Sequence, residues 1–169
     1  KDFFHPLLND SKQLTEKERN ELRPLIEEGA IAFAVASLCN KKIDKINILQ
    51  ASLRSMHLAI KKLNTQPQHL LIDGNRFKKY KRLPHQCIVQ GDASYASIAA
   101  ASILAKTYRD EYMTSLHKKF PQYNWAQNKG YGTKEHQKAL DKYGPCKYHR
   151  ISFRLSYNNF ITNDSENIA

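Results

Sequence analysis

The amino-acid sequence predicts an α/β layered domain, and three observations carry that expectation. Amphipathic helical stretches alternate along the chain with short apolar runs of strand length. Two of those runs end on aspartates, Leu70-Leu71-Ile72-Asp73 and Cys87-Ile88-Val89-Gln90-Gly91-Asp92. A helix made mostly of Ala, Ser and Ile follows the second run, and small residues all round suit close packing against a sheet. With 169 residues, one domain with a real core is expected.

The elements follow in order. Thr15-Glu16-Lys17-Glu18 matches a capping box and starts a helix that reaches about Gly29. Pro24 lies inside it and is expected to kink or shorten it. Ala30 to Leu38 is small and apolar and reads as a buried strand. From Asp44 to Leu63, apolar residues recur at spacings of three and four, which predicts one amphipathic helix. Leu70–Asp73 and Gln86–Val89 read as strands. Between them, Asn75 to Arg82 is a loop with five basic residues. Ser94 to about Lys118 reads as a long helix, and Thr133–Tyr143 as the last one, closed by Gly144 and Pro145. The expected domain is 1–157, followed by a polar, frayed tail from Asn158 to Ala169.

Composition narrows the class. Hydrophobic residues make up 41% and charged residues 25%, ordinary for a soluble globular protein. No apolar run approaches the roughly 20 residues of a membrane span, so no membrane partner is expected. No signal peptide opens the chain, which starts on Lys1 rather than Met, and a trimmed or incomplete sequence is the expectation. The net charge is +11 and the pI about 9.6, a balance that attracts phosphate backbones through counterion release. The cysteines, Cys39, Cys87 and Cys146, are odd in number and include no Cys-x-x-Cys. A disulfide framework or zinc site is therefore not expected, and a cytoplasmic, reducing location fits best.

The chemistry rests on Asp73 and Asp92. In open α/β sheets, ligands bind outside the carboxyl ends of the strands, where both aspartates fall. Hard divalent cations take carboxylate and phosphate oxygens, and two of them can stabilise the attacking and leaving oxygens of a phosphodiester displacement. Each residue also has a structural reading. Asp73 before Gly74-Asn75 suits a turn, and Asp92 before a helix suits an N-cap. Spacing alone does not choose between them.

The residues then resemble a known family, bacterial ribonuclease HII. The resemblance runs through Asn9-Asp10-Ser11-Lys12-Gln13-Leu14-Thr15, Ile43-Asp44-Lys45-Ile46-Asn47-Ile48-Leu49 and Leu71-Ile72-Asp73-Gly74-Asn75-Arg76. It continues through Gly91-Asp92, Ser97 to Lys106, Arg109-Asp110, Lys129-Gly130-Tyr131-Gly132-Thr133 and His149-Arg150-Ile151-Ser152-Phe153. It implies a ribonuclease H-like fold, a mixed sheet flanked by helices with a C-terminal helical part. It implies a monomeric endonuclease that cuts RNA in RNA–DNA hybrids and nicks 5′ to single ribonucleotides in duplex DNA, a task of DNA replication and repair. It implies a two-metal site holding Mg2+ or Mn2+.

By that resemblance Asp73 and Asp92 are catalytic metal ligands, and Tyr131 packs against the sugar at the RNA–DNA junction. Asn9, Ser11, Lys12 and Arg150 would contact substrate, although Arg150 is equally suited to packing, and Asp110 is expected to be structural. The sequence departs from the family at its start. It lacks the strand carrying Asp-Glu-Ala-Gly-Arg-Gly and the apolar strand after it, and with them two of the family's four metal carboxylates. The competing expectation is therefore a catalytically impaired fragment that only binds hybrid.

Overall fold

The computed structural model describes residues 14–153, so Asn9, Ser11, Lys12 and the tail 158–169 lie outside the described residues. Within this span the chain forms two compact units, 14–37 with 49–108, and 38–48 with 109–153. The elements are α1 (Glu16–Gly29), α2 (Asn40–Ile46), α3 (Ile48–Lys62), β1 (Leu70–Asp73), β2 (His85–Ile88), α4 (Ala96–His117), α5 (Trp125–Asn128) and α6 (Lys134–Tyr143). The fold class is α/β, as the sequence predicts.

In the first unit the capping box closes as expected. The Glu18 N–H donates to Thr15 Oγ1 (3.3 Å) and the Thr15 N–H to Glu18 Oε2 (2.7 Å). These bonds satisfy free donors of the first turn, and the Thr15 hydroxyl, which donates to Glu18 Oε2 (2.7 Å), together with the Thr15 N–H holds the Glu18 carboxyl below its ordinary range. Pro24 does not shorten α1, which continues to Gly29. Leu22 and Ile26 of α1 are buried with Leu14 and with Ala99, Ile103 and Leu104 of α4. The Arg23 guanidinium lies 3.8 Å from the Tyr108 ring centre, closing that contact. The Ala-rich stripe of α4 thus meets a helix in this core, where the sequence suggested a sheet. Its small side chains allow the close approach in either case.

Two expected elements change. Ala30 to Leu38 is not a strand: Ile31 is 89% exposed and Phe33 40% exposed. A strand exists only as part of a ladder, and no neighbour among the described residues pairs with this segment. It is held instead by Val35, which packs on the first core and whose carbonyl accepts from Lys62 Nζ (3.1 Å). The single helix expected over 44–63 is two, α2 and α3, parted at Asn47 (φ 64°). Asn tolerates the left-handed region, and one such residue breaks the hydrogen-bond ladder while leaving the apolar periodicity intact.

The strands β1 and β2 are parallel, with Leu70 opposite His85 and Asp73 opposite Ile88. β2 starts and ends one residue earlier than expected. The connection between them, residues 74–84, is irregular chain. Phe77, Tyr80 and Leu83 from it pack with Met56 and Cys87 against buried Ile60, Leu70 and Ile72.

The second unit has its own core of Met113, Leu116, Tyr123, Trp125, Ala139 and Leu140. α6 is capped by Thr133 Oγ1, which accepts the His136 N–H (3.2 Å), and ended by Gly144 (φ 68°), whose N–H reaches the Leu140 carbonyl (2.8 Å). The three cysteines are free thiols. Among the described residues no helix is long and apolar enough to cross a membrane.

Candidate active site

The first unit brings Asp73 and Asp92 into one corner. Asp73 ends β1 with an exposed side chain, and its Oδ1 accepts the Gly91 N–H at 3.0 Å. Asp92 is the next residue, inside a short 3-10 turn (Gly91–Ala93), and only 3% exposed. The corner is tied together from below: the Gly74 N–H donates to the Ile88 carbonyl (2.8 Å), extending the parallel ladder past Asp73. Gln90, in the left-handed region (φ 56°), turns the chain from β2 into the 3-10 turn.

Gly91 has two jobs here. Its N–H pins Asp73, and its missing side chain lets α4 approach, because a Cβ there would lie 2.5 Å from Ile98 Cδ1 and 3.4 Å from Ile88 Cβ. Asp92 is not the N-cap of α4, which starts four residues later at Ala96. The N-cap reading of Asp92 is therefore set aside by geometry, and a buried carboxylate remains next to an exposed one.

The donor set at this corner is two carboxylates with no histidine or cysteine added. Among the described residues no group of three or more His, Cys, Asp or Glu side chains forms. Two hard oxygen donors suit a hard divalent cation that completes its shell with water and substrate phosphate.

The second unit carries Tyr131 and Arg150. Tyr131 is 74% exposed. Its backbone is held on all sides. The Tyr131 N–H donates to the Asn128 carbonyl (2.8 Å), and buried Asn128 bridges the Tyr123 carbonyl (2.7 Å) and the Gly130 N–H (2.9 Å). Lys129 (φ 49°) and Gly130 (φ 80°) both take the left-handed conformation. A Cβ on Gly130 would meet Met113 Cε at 2.9 Å and Arg109 Nη2 at 3.2 Å.

Two histidines that the sequence offers no reason to pair lie beneath this turn. The Cys146 N–H donates to His149 Nδ1 (2.9 Å), so His149 carries its proton on Nε2, which faces His136 Nε2 at 3.2 Å. Trp125 Nε1–H also points at His136 Nε2 (3.3 Å). His136 then carries its proton on Nδ1 and donates it to the Tyr131 carbonyl (2.9 Å). Burial, and then the neighbouring His136, lower the His149 pKa to about 4, so His149 is neutral near pH 7.

Arg150 stacks its guanidinium 3.8 Å from the Phe153 ring centre. Arg109 is close enough to feel its charge: burial first, then Arg150, lowers the Arg109 pKa. Asp44 gathers the following turn, accepting N–H bonds from Ile151 and Ser152 (both 3.1 Å) and the Ser152 hydroxyl (2.6 Å). Burial disfavours the Asp44 charge, but these bonds and Arg150 outweigh it and hold its pKa below the ordinary value. Asp44, Asn128 and His136 are thus positioning residues that sequence reasoning gave no role. For Asp44 the only signal was its place in the stretch Ile43 to Leu49.

The sequence matches the family described as Ribonuclease HII over residues 5–159. It is 57% identical over 154 residues to "Ribonuclease HII" of Christiangramia forsetii, covering 91% of this chain and 78% of that protein. It is 59% identical over 155 residues to "Ribonuclease HII" of Bacteroides fragilis, covering 92% of this chain and 77% of that one. The fold resembles the crystal structure of the ribonuclease H2 from Pyrococcus horikoshii, with a TM-score of 0.73 at 21% identity, over 88% of this chain and 78% of that chain.

Proposed function

The chain belongs to the ribonuclease HII family and is an endoribonuclease of the type 2 ribonuclease H class, and on that footing we propose a metal-dependent enzyme that hydrolyses the RNA of RNA–DNA hybrids and nicks 5′ to single ribonucleotides in duplex DNA. The observation that supports it most is the bonded corner of Asp73, Gly91 and Asp92 at the carboxyl ends of two parallel strands. Such a nick opens the way to ribonucleotide removal during DNA replication and repair. Cytoplasmic, monomeric action by one catalytic domain through residue 157 goes with this reading.

Asp73 and Asp92 would hold Mg2+ or Mn2+. Such a cation, when bound, supplies positive charge against the phosphate oxygens and eases departure of the leaving oxygen. The protein's part is placement. The Gly91 N–H fixes one oxygen of Asp73. Burial of Asp92 in a short turn removes its rotamer freedom before substrate arrives. Water attacks the phosphorus, the bond to the 3′ oxygen of the preceding nucleotide breaks, and that oxygen leaves as a hydroxyl. Tyr131, exposed on a rigid turn, offers an aromatic face to the sugar at the junction and leaves no room for a further hydroxyl there. Arg150, and by resemblance Asn9, Ser11 and Lys12, would contact substrate.

Asp92→Asn tests the reading. Cutting should fall by at least 100-fold while hybrid binding persists. Near-normal turnover with Mg2+ would remove Asp92 from the metal site. Firm binding without any cutting by the parent chain would favour the rival function, a hybrid-binding protein.

A further inference from the structure

The crossover from β1 to β2 carries a surface that the catalytic corner does not use. Over Arg76-Phe77-Lys78-Lys79-Tyr80-Lys81-Arg82-Leu83, every third residue from Phe77 is apolar and every other position is a cation. The structure sorts the two sets. Phe77, Tyr80 and Leu83 pack on the cluster of Ile60, Leu70 and Ile72, while Arg76, Lys78, Lys79, Lys81 and Arg82 are all exposed.

The path of the loop is fixed as well. The His57 ring packs edge-on against Phe77 (5.3 Å) and Tyr80 (5.1 Å), and its Nε2 bonds the Lys78 carbonyl at 2.6 Å. The Leu83 N–H returns to the Tyr80 carbonyl (3.1 Å), and the Leu70 N–H donates to the Pro84 carbonyl (3.0 Å). No acidic residue occurs between Asp73 and Asp92 to offset the charge. Five like charges on an anchored segment repel one another, and a polyanion relieves that repulsion.

We propose that Arg76 to Arg82 is a phosphate-backbone contact for the duplex flanking the cut, separate from the residues that hold the scissile phosphate. This rests on the nuclease reading for the identity of the polyanion. Because β1 and β2 are parallel, the loop leaves beside Asp73 and returns to the opposite end of the sheet at His85. Four strand residues span about 13 Å at roughly 3.3 Å each. A duplex running along the loop from Asp73 therefore passes about four base pairs, at 3.4 Å per step of one strand. Phosphates carry the same charge whatever the base, so the contact adds affinity without sequence preference.

The test is equilibrium binding of an RNA–DNA hybrid in chelator, titrated with salt, using the parent chain and Lys78→Gln, Lys79→Gln and Lys81→Gln singly and together. Each neutralised contact makes the slope of log affinity against log salt shallower by about 0.9, so the triple variant loses up to about 2.7. Thermal stability should not fall, because these side chains are exposed and neutralising them relieves repulsion. Lys17→Gln on the exposed face of α1 is the control and should leave the slope alone. A hybrid trimmed to fewer than about four base pairs on the loop side should bind parent and triple variant equally. The proposal is overturned if the triple variant keeps the parent slope, or if Lys17→Gln lowers it as much as a loop lysine does, since net charge would then suffice. Binding is read without cleavage, so loss of the nuclease reading leaves this outcome legible. If both hold, the triple variant raises KM at moderate salt and leaves kcat unchanged.

Discussion

Two loops carry proposed substrate contacts, and they are held in different ways. The crossover loop, Arg76 to Leu83, is fastened by three apolar side chains sunk into a hydrophobic cluster. The Lys129 to Thr133 turn is fastened by buried polar groups, chiefly Asn128, His136 and His149, and by two left-handed residues. Apolar anchoring tolerates changes at the exposed positions between anchors. Polar anchoring fixes an atom more closely, but every member must keep its partner and its protonation state. The first suits a diffuse contact with a charged backbone. The second suits a single aromatic ring that must meet one sugar.

The largest effect expected is that of acid on the Lys129 to Thr133 turn, through His149. His149 has a pKa lowered from 6.5 to about 4, so the fold prefers its neutral form. Its contribution is fully present above pH 6.5 and is lost as pH falls toward 4, an order of 3 kcal/mol in all. Unfolding measured from pH 7.5 to 4 should show that loss, and His149→Gln should flatten it. An unchanged slope in the variant would separate the histidine pair from the acid response.

Asn128→Ala comes next. It leaves the Tyr123 carbonyl and the Gly130 N–H without their bonds and should cost about 2 kcal/mol. Substrate affinity should fall further than in Tyr131→Ala if the turn places more than the ring; equal losses would confine its job to the ring. Gly91→Ala, in the other unit, should cost about 1–3 kcal/mol by forcing Ile98 aside, and kcat should drop more than KM rises because Asp73 loses its register with Asp92. A stability loss with kcat intact would show that the Gly91 N–H does not position Asp73. Smallest of all, Lys79→Gln should change stability by less than about 0.5 kcal/mol and act only through salt-dependent binding.

Local signals were readable where local physics decides. The Thr15 capping box, the β1 boundaries and the Thr133 and Gly144 caps of α6 stand where the sequence placed them, because each depends on neighbours a few residues away. Asp73 and Asp92 stood out as carboxylates ending apolar runs, and the structure joins them through Gly91. The break at Asn47 was hidden because one left-handed residue does not disturb a three-and-four repeat. Ala30 to Leu38 misled because apolar composition says nothing about whether a ladder partner lies alongside. The His136–His149 pair was invisible for a similar reason: the two are 13 residues apart, and only the packing of α6 on Trp125 and Tyr123 brings their rings together.

The most direct test of the central claim is cleavage of a DNA duplex carrying one ribonucleotide, by this chain, with Mg2+ or Mn2+ and with a chelator control. The account predicts a metal-dependent nick on the 5′ side of the ribonucleotide, lost in Asp73→Asn and Asp92→Asn. Intact duplex at every metal concentration, with the hybrid still bound, would contradict it.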